Sequence, residues 1–205
     1  MRYMTMTTAI LRRTIVFTAA GLALAGAGCS DTVREGRSPS YLIINKIEAT
    51  QGNDTTLTGQ LSSDVLTKGT VYEDRGFATM TLGLKNVGPE GTTPTPTQNN
   101  IITVTRYHVD YRRADGRNTP GVDVPYGFDG ATTGTISESD ATLTFVLVRV
   151  QAKLESPLVN LAGLGGAQAI STLADVTFYG RDQAGNDVKV TGSINVTFAD
   201  WSDPQ

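Results

Sequence analysis

The chain has 205 residues, a formal net charge of -3, one cysteine and one histidine. One cysteine rules out an internal disulfide, and one histidine rules out chemistry that needs two imidazoles, such as an H-E-x-x-H metal site. A mildly acidic chain without a basic cluster is not built for nucleic acid, whose phosphates call for grouped Lys and Arg.

Residues 1–28 read as an export signal. Arg2, Arg12 and Arg13 supply positive charge, and no acid precedes Cys29. Residues 14–25 (TIVFTAAGLALA) form a short apolar run, and Gly26, Ala27 and Gly28 are small. Charge, apolar run and small residues in that order make a secretory signal peptide. The run falls short of the roughly 20 apolar residues that a spanning helix needs. The stretch GAGC ending at Cys29 resembles the lipobox of bacterial lipoproteins, with Gly26 standing where that family prefers Leu or another aliphatic. The resemblance implies a diacylglycerol on the Cys29 sulfur, cleavage just before it and acylation of the new amine. Residues 1–28 are then a lipoprotein signal peptide. The mature protein is expected to be exported and lipid-anchored to a bacterial membrane, on its periplasmic or cell-surface side. An ordinary signal peptide with an incidental cysteine is the alternative. Arg12 and Arg13 also bear a faint likeness to a twin-arginine export signal, but its usual neighbours are missing.

Without residues 1–28 the remaining 177 carry a formal net charge of -6, because three arginines leave with them. That length suits one domain with a substantial core. Residues 29–40 then form the lipidated cysteine and a tether. The polar stretch SDTVREGRSPS, with Gly36 and Pro39, reads as flexible. Eleven such residues reach about 18 Å on average.

Residues 41–205 are expected to form a single β domain. Residues 41–48 (YLIINKIE) open it with a strand. In residues 77–85 the alternation puts Ala78, Met80, Leu82 and Leu84 on one face and Phe77, Thr79 and Thr81 on the other. In residues 101–113 Tyr107, Val109 and Tyr111 share a face, opposite Arg106, His108 and Asp110. Residues 142–151 (TLTFVLVRVQ) are nearly continuously apolar and predict a central strand. Residues 188–198 alternate most cleanly: Val188, Val190, Ile194, Val196 and Phe198 face one way. Period-two patterning between Gly, Pro, Asn and Asp clusters, with no sustained helical period, predicts an all-β antiparallel sandwich.

Residues 176–198 (VTFYGRDQAGNDVKVTGSINVTF) predict two strands joined by a tight hairpin at Gly185 and Asn186. The spacing of Asp182, Ala184, Gly185 and Asn186, between an aromatic-rich strand and an alternating one, resembles bacterial immunoglobulin-like domains. The resemblance implies an immunoglobulin-like β-sandwich and adhesive, spacer or assembly roles. The length of this chain adds the expectation of long loops. Residues 86–100 form one, polar and with three prolines. Residues 113–130 form another, mixing charge with aromatic side chains as contact surfaces do. Arg113, Asp115, Arg117, Asp123, Tyr126, Phe128 and Asp129 are its candidate contact residues. The alternative is a long connection with Tyr126 or Phe128 tucked onto the core.

Catalytic signals are weak. His108 sits mid-strand beside Arg106 and Asp110, where a surface charge pair is the plain reading. Glu73 with Asp74, Glu138 with Asp140, and Asp182 with Asp187 are carboxylate pairs near expected turns, where acids bond backbone. Calcium would need six to eight oxygen ligands. Asp182, Asn186 and Asp187, or Asp115, Asp123 and Asp129, supply some, without EF-hand spacing. The glycines of residues 162–167 (AGLGGA) lack the strand-to-helix setting of a nucleotide loop. No cofactor, metal or catalytic residue is assigned. The reading is a non-catalytic, lipid-anchored envelope protein with a structural, assembly or adhesion role, meeting the membrane through Cys29 and other envelope proteins through its sandwich. A glycan or small-ligand module, with or without calcium, is the alternative. A carboxylate-pair hydrolase comes third.

Overall fold

The computed structural model describes residues 36–52, 54–86, 88–89 and 94–201. The expected signal peptide, Cys29 and the first part of the expected tether lie outside them. Eight strands follow in order: β1 (Ser40–Thr50), β2 (Gln60–Asp64), β3 (Asp74–Leu84), β4 (Ile102–Arg112), β5 (Phe128–Ile136), β6 (Ala141–Val148), β7 (Ile170–Asp182) and β8 (Asp187–Ala199). Helix α1 (Val150–Leu154) and a 3-10 turn at Leu158–Leu161 lie between β6 and β7. A second 3-10 turn at Gln98–Asn100 precedes β4.

The strands form two sheets. One has the order β1-β3-β6 and the other β2-β8-β7-β4-β5. They pack face to face as an all-β sandwich. The alternation seen in the sequence decides what lies between them. Ala78, Met80 and Leu82 of β3 and Tyr107, Val109 and Tyr111 of β4 are buried, as are Val188, Ile194, Val196 and Phe198 of β8. At the centre Phe145 meets Phe178 edge-on at 5.3 Å and Tyr107 at 5.3 Å. Buried phenols need partners. The Tyr111 hydroxyl donates to the Leu147 carbonyl at 2.5 Å, and the Tyr107 oxygen accepts from the Val146 N–H at 3.1 Å.

Three features depart from expectation. One strand pair is parallel: β1 runs along β3, then the chain crosses to the other sheet and β2 joins β8 in the same sense. The run 142–151 is an edge strand rather than a central one. β6 closes the three-stranded sheet, with Leu143, Phe145 and Leu147 inward and Thr142 and Thr144 exposed, and it stops at Val148 before α1. The third departure is β5, whose Gly- and Thr-rich sequence carries little apolar alternation. Its position follows from packing: a Cβ at Gly130 would lie 2.2 Å from the Tyr107 ring, and one at Gly134 would lie 2.0 Å from Leu143.

Pairing within each sheet, with the short turn between β5 and β6, sets the ends of the sandwich. At the proximal end the described chain begins, just ahead of β1. There the Lys85 N–H donates to the Pro39 carbonyl at 2.9 Å, the Ser40 hydroxyl donates to the Asn100 carbonyl at 2.8 Å, and Ser38 reaches Asp182 of the β7–β8 hairpin. The connections 51–59, 65–73, 113–127 and 149–169 and the C-terminal Trp201 gather at the opposite, distal end.

The proximal hairpin also accounts for the DQAGN motif. Gly185 takes φ +82°, the left-handed conformation that glycine adopts at no steric cost. Asp182 is buried and accepts from the Ala184 N–H (3.0 Å), the Asn186 N–H (2.8 Å) and the Asn186 side-chain amide (2.8 Å). Burial pushes its carboxyl up, but the bonds from Asn186, Ser38 and Ala184 outweigh that and hold it below the ordinary Asp range. A folded-state pKa below the unfolded value contributes stability above the unfolded pKa, and that stability is lost as pH falls through the folded one. Asp182→Ala should therefore cost about 1–3 kcal/mol at neutral pH by removing the acceptor that the Ala184 and Asn186 donors share. The gap to wild type should shrink below about pH 4. Urea midpoints of both proteins at neutral and acid pH check this, and a gap independent of pH would refute it.

Candidate functional site

The distal end is built on a buried ion pair. Asp74 begins β3 and Lys153 lies in α1; both side chains are almost wholly buried, with N and O 2.9 Å apart. Asp74 also accepts from the Ser63 hydroxyl (2.6 Å) and the Gly52 N–H (2.8 Å), and Lys153 donates to the Asp64 carbonyl at 2.7 Å. Burial pushes the Asp74 carboxyl up from its usual range, opposed by Lys153, Ser63 and Gly52. Asp64 extends the frame, accepting from the Trp201 N–H at 3.1 Å and the Thr67 hydroxyl at 2.8 Å. Asp200 accepts from the Gly163 N–H at 2.5 Å. These bonds fasten the β1–β2 connection, α1 and the C-terminal segment to the strand ends.

On that frame stands the loop 113–127. Asp115 is gripped from both sides, by Arg113 at 2.7 Å and Arg117 at 2.8 Å. Together they hold its carboxyl well below the usual carboxylate range. The Asn118 side-chain oxygen accepts from the Arg113 N–H at 2.6 Å, and Asp123 accepts from the Thr119 N–H at 3.2 Å. Gly121, at φ +76°, lies under Tyr126: a Cβ there would sit 2.3 Å from the Tyr126 hydroxyl. Val124 is buried, so the loop is pinned from below and presents Val122 (66% exposed) and Tyr126 (53%) outward.

The candidate contact residues therefore separate. Arg113, Asp115 and Arg117 form one ion-paired cluster in which Asp115 and Arg117 are exposed and Arg113 is largely covered, while the half-buried Asp123 and the exposed Tyr126 lie further along the loop. Phe128 starts β5 and is only 7% exposed, packed edge-on to Tyr107 at 6.2 Å, so it is a core residue and not a contact. Asp129 lies on the outer sheet face, 3.2 Å from His108 and 3.5 Å from Arg106. His108 reaches Asp110 as well, at 3.0 Å. That face is a mesh of paired charges. Arg112 binds Asp175, Arg181 lies 2.6 Å from Asp187, and the Arg106 guanidinium stacks 3.8 Å over Tyr179.

The carboxylate pairs do not converge. Glu73 meets Arg75 at 3.3 Å while Asp74 turns inward, Asp140 accepts from Asn45 at 2.8 Å, and Asp187 and Asp182 have different partners. Among the described residues no group of three or more His, Cys, Asp or Glu side chains is placed to hold a metal ion. Nor is any helix among them long and apolar enough to cross a membrane. A cleft of about 230 Å³ runs beside β2, lined by Gln51, Asp54, Thr56 and Gln60. It is smaller than the roughly 300–1,000 Å³ usual for small-molecule sites.

Sequence patterning missed that most exposed large apolar side chains lie in the distal connections. Eleven large hydrophobic residues are exposed among the described residues, and nine belong to distal connections or the C-terminal tail. Leu154 (58%), Val122 and Tyr126 stand out furthest, joined by Leu57, Tyr72, Val150, Val159, Leu164 and Trp201. They are scattered along the chain in segments without periodicity, so only the fold brings them to one end. No protein-family model matches this chain, and no curated protein sequence matches it.

Proposed function

We propose that this chain is a lipid-anchored cell-envelope protein whose non-catalytic β-sandwich docks a partner protein with its distal end. One observation carries the reading: nine of the eleven exposed large hydrophobic side chains of the described residues lie in segments at the distal end, opposite the end where β1 begins. Exposed apolar groups gathered at one end, with polar groups around them, mark interaction sites in soluble domains. The frame under them is rigid, which lowers the ordering cost of docking. The paired charges of the outer sheet face suit a solvated surface.

Crosslinking in intact cells tests this. A photoreactive side chain at Val122 or Leu154 should yield one abundant protein adduct, and the same group at Thr191 on the sheet face should yield none. Equal yields from both faces, or none from the distal end, would overturn the docking reading and favour the glycan or small-ligand alternative.

A further inference from the structure

Seven arginines fall between Arg75 and Arg181, and six of them meet a carboxylate. Arg149 is the seventh. It follows β6 and immediately precedes α1, at the distal end. Its guanidinium lies 4.2 Å over the Phe128 ring, and its Nε is buried with no hydrogen-bond partner. Glu73, whose charge is felt with that of Arg149 at the Tyr107 hydroxyl, is taken by Arg75 at 3.3 Å. The next residue along, Val150, is exposed, as is Tyr126, two positions before Phe128.

An arginine in this state is costly in the free protein. A buried donor left unmade is unfavourable, and the positive charge is partly withdrawn from water. The stack on Phe128 offsets some of that and holds the planar fork in one orientation. Nε is closed to an outside group, so the two terminal nitrogens of the fork are the donors that match a carboxylate, which takes two parallel N–H bonds. Phosphate would fit the fork too, but the exposed large hydrophobic residues nearest Arg149 and Phe128 in the chain are Val150 and Tyr126, which suit a peptide and not a hydrated dianion.

We propose that Arg149 is the polar anchor of the distal docking surface, receiving a carboxylate side chain that a partner protein presents between apolar residues. This rests on the docking reading above and supplies its partner chemistry. Arg149 acts as a specificity residue: the apolar groups exclude water around the contact, and the fork selects an acid.

The test uses the mature chain and two acetylated, amidated pentapeptides, Val-Leu-Glu-Leu-Val and Val-Leu-Gln-Leu-Val. The Glu peptide should bind saturably and move the Arg149 Nε–Hε resonance, and the Gln peptide should bind at least about tenfold more weakly. Arg149→Met keeps an unbranched stem over Phe128 and should remove the preference for Glu with little change in melting temperature. Arg117→Met should leave it intact. No saturable binding, equal binding of both peptides, or an undiminished preference in Arg149→Met overturns the proposal. Distal crosslinks in cells separate the two readings. If they persist unchanged in Arg149→Met, docking stands and carboxylate recognition falls; if wild type gives none, docking itself falls.

Discussion

Lys153→Met is expected to destabilise the fold by about 3–5 kcal/mol, because it leaves the Asp74 carboxylate buried without its counter-charge. For a domain whose whole stability is of order 5–15 kcal/mol, that is a large fraction. Asp74→Leu should cost a similar amount, since it strands a buried ammonium together with the Ser63 hydroxyl and the Gly52 N–H. The double variant Asp74→Leu/Lys153→Met should be clearly more stable than the sum of the single losses implies. Two desolvated charges vanish together, and an apolar pair of similar volume replaces a buried ion pair at little cost. Recovery should stay partial, because the Asp64 carbonyl, the Ser63 hydroxyl and the Gly52 N–H still lose their partners. Urea unfolding of the four proteins, followed by the fluorescence of Trp201, measures the cycle. A Lys153→Met loss below about 1 kcal/mol would show that the ammonium finds no real burial. The effect should also reach the docking surface. Lys153 fixes α1, and α1 carries Val150 and Leu154 and follows Arg149, so distal crosslinking should weaken in the same variant even where it remains folded.

The sandwich was largely legible in the sequence, because a half-buried sheet writes its geometry as alternation. The faces read for residues 77–85, 101–113 and 188–198 are the faces that are buried, and the hairpin at Asp182 and Gly185 follows from turn chemistry alone. What escaped was placed by tertiary packing. β2 has five residues and is held by pairing with β8, and β5 is a Gly/Thr strand shaped by the rings and methyls pressed against it. The run 142–151 looked central because Val146 and Val148 fill the out-of-phase positions. In the fold Val148 pairs with Asp74 beneath the distal network, so its apolar character serves the end of the sandwich and not a second sheet face.

Of the candidate site, position was legible and composition only in part. The unusual length of 113–130 marked one connection of what is now the distal end, and Arg113, Asp115, Arg117, Asp123 and Tyr126 do stand on it. Phe128 and Asp129 were assigned to the loop because nothing in FDGATTGTI announces a strand. Arg149 was hidden inside an apolar run, where its charge interrupted a pattern without explaining itself. Lys153 was hidden because nothing local calls for a buried lysine, and only a carboxylate 79 positions away makes its burial tolerable.

The second large effect expected is on location, and it concerns Cys29. Each buried methylene contributes about 0.8 kcal/mol, so a single acyl chain binds marginally while two or more hold a protein on a membrane. The wild-type chain should therefore stay in the membrane pellet through an alkaline carbonate wash and incorporate labelled palmitate. Cys29→Ala, exported behind a cleavable secretory signal, should carry no label and appear in the soluble fraction with its melting temperature unchanged. Wild type found soluble, or Cys29→Ala retaining the label, would defeat the anchor. The proposed anchor makes a geometric prediction. Ser38 and Ser40 are buried against the sandwich, so a tether would be residues 30–37, and eight flexible residues would reach about 15 Å. A strand of 13 residues rises roughly 3.3 Å per residue, so the sandwich is about 40 Å long. On a lipid anchor the distal end would then stand up to about 55 Å from the headgroups. A partner crosslinked at Val122 should then depend on tether length. Deleting part of residues 30–37 in the anchored protein should reduce the adduct, while the same deletion in the soluble Cys29→Ala protein should leave binding to the purified partner unchanged.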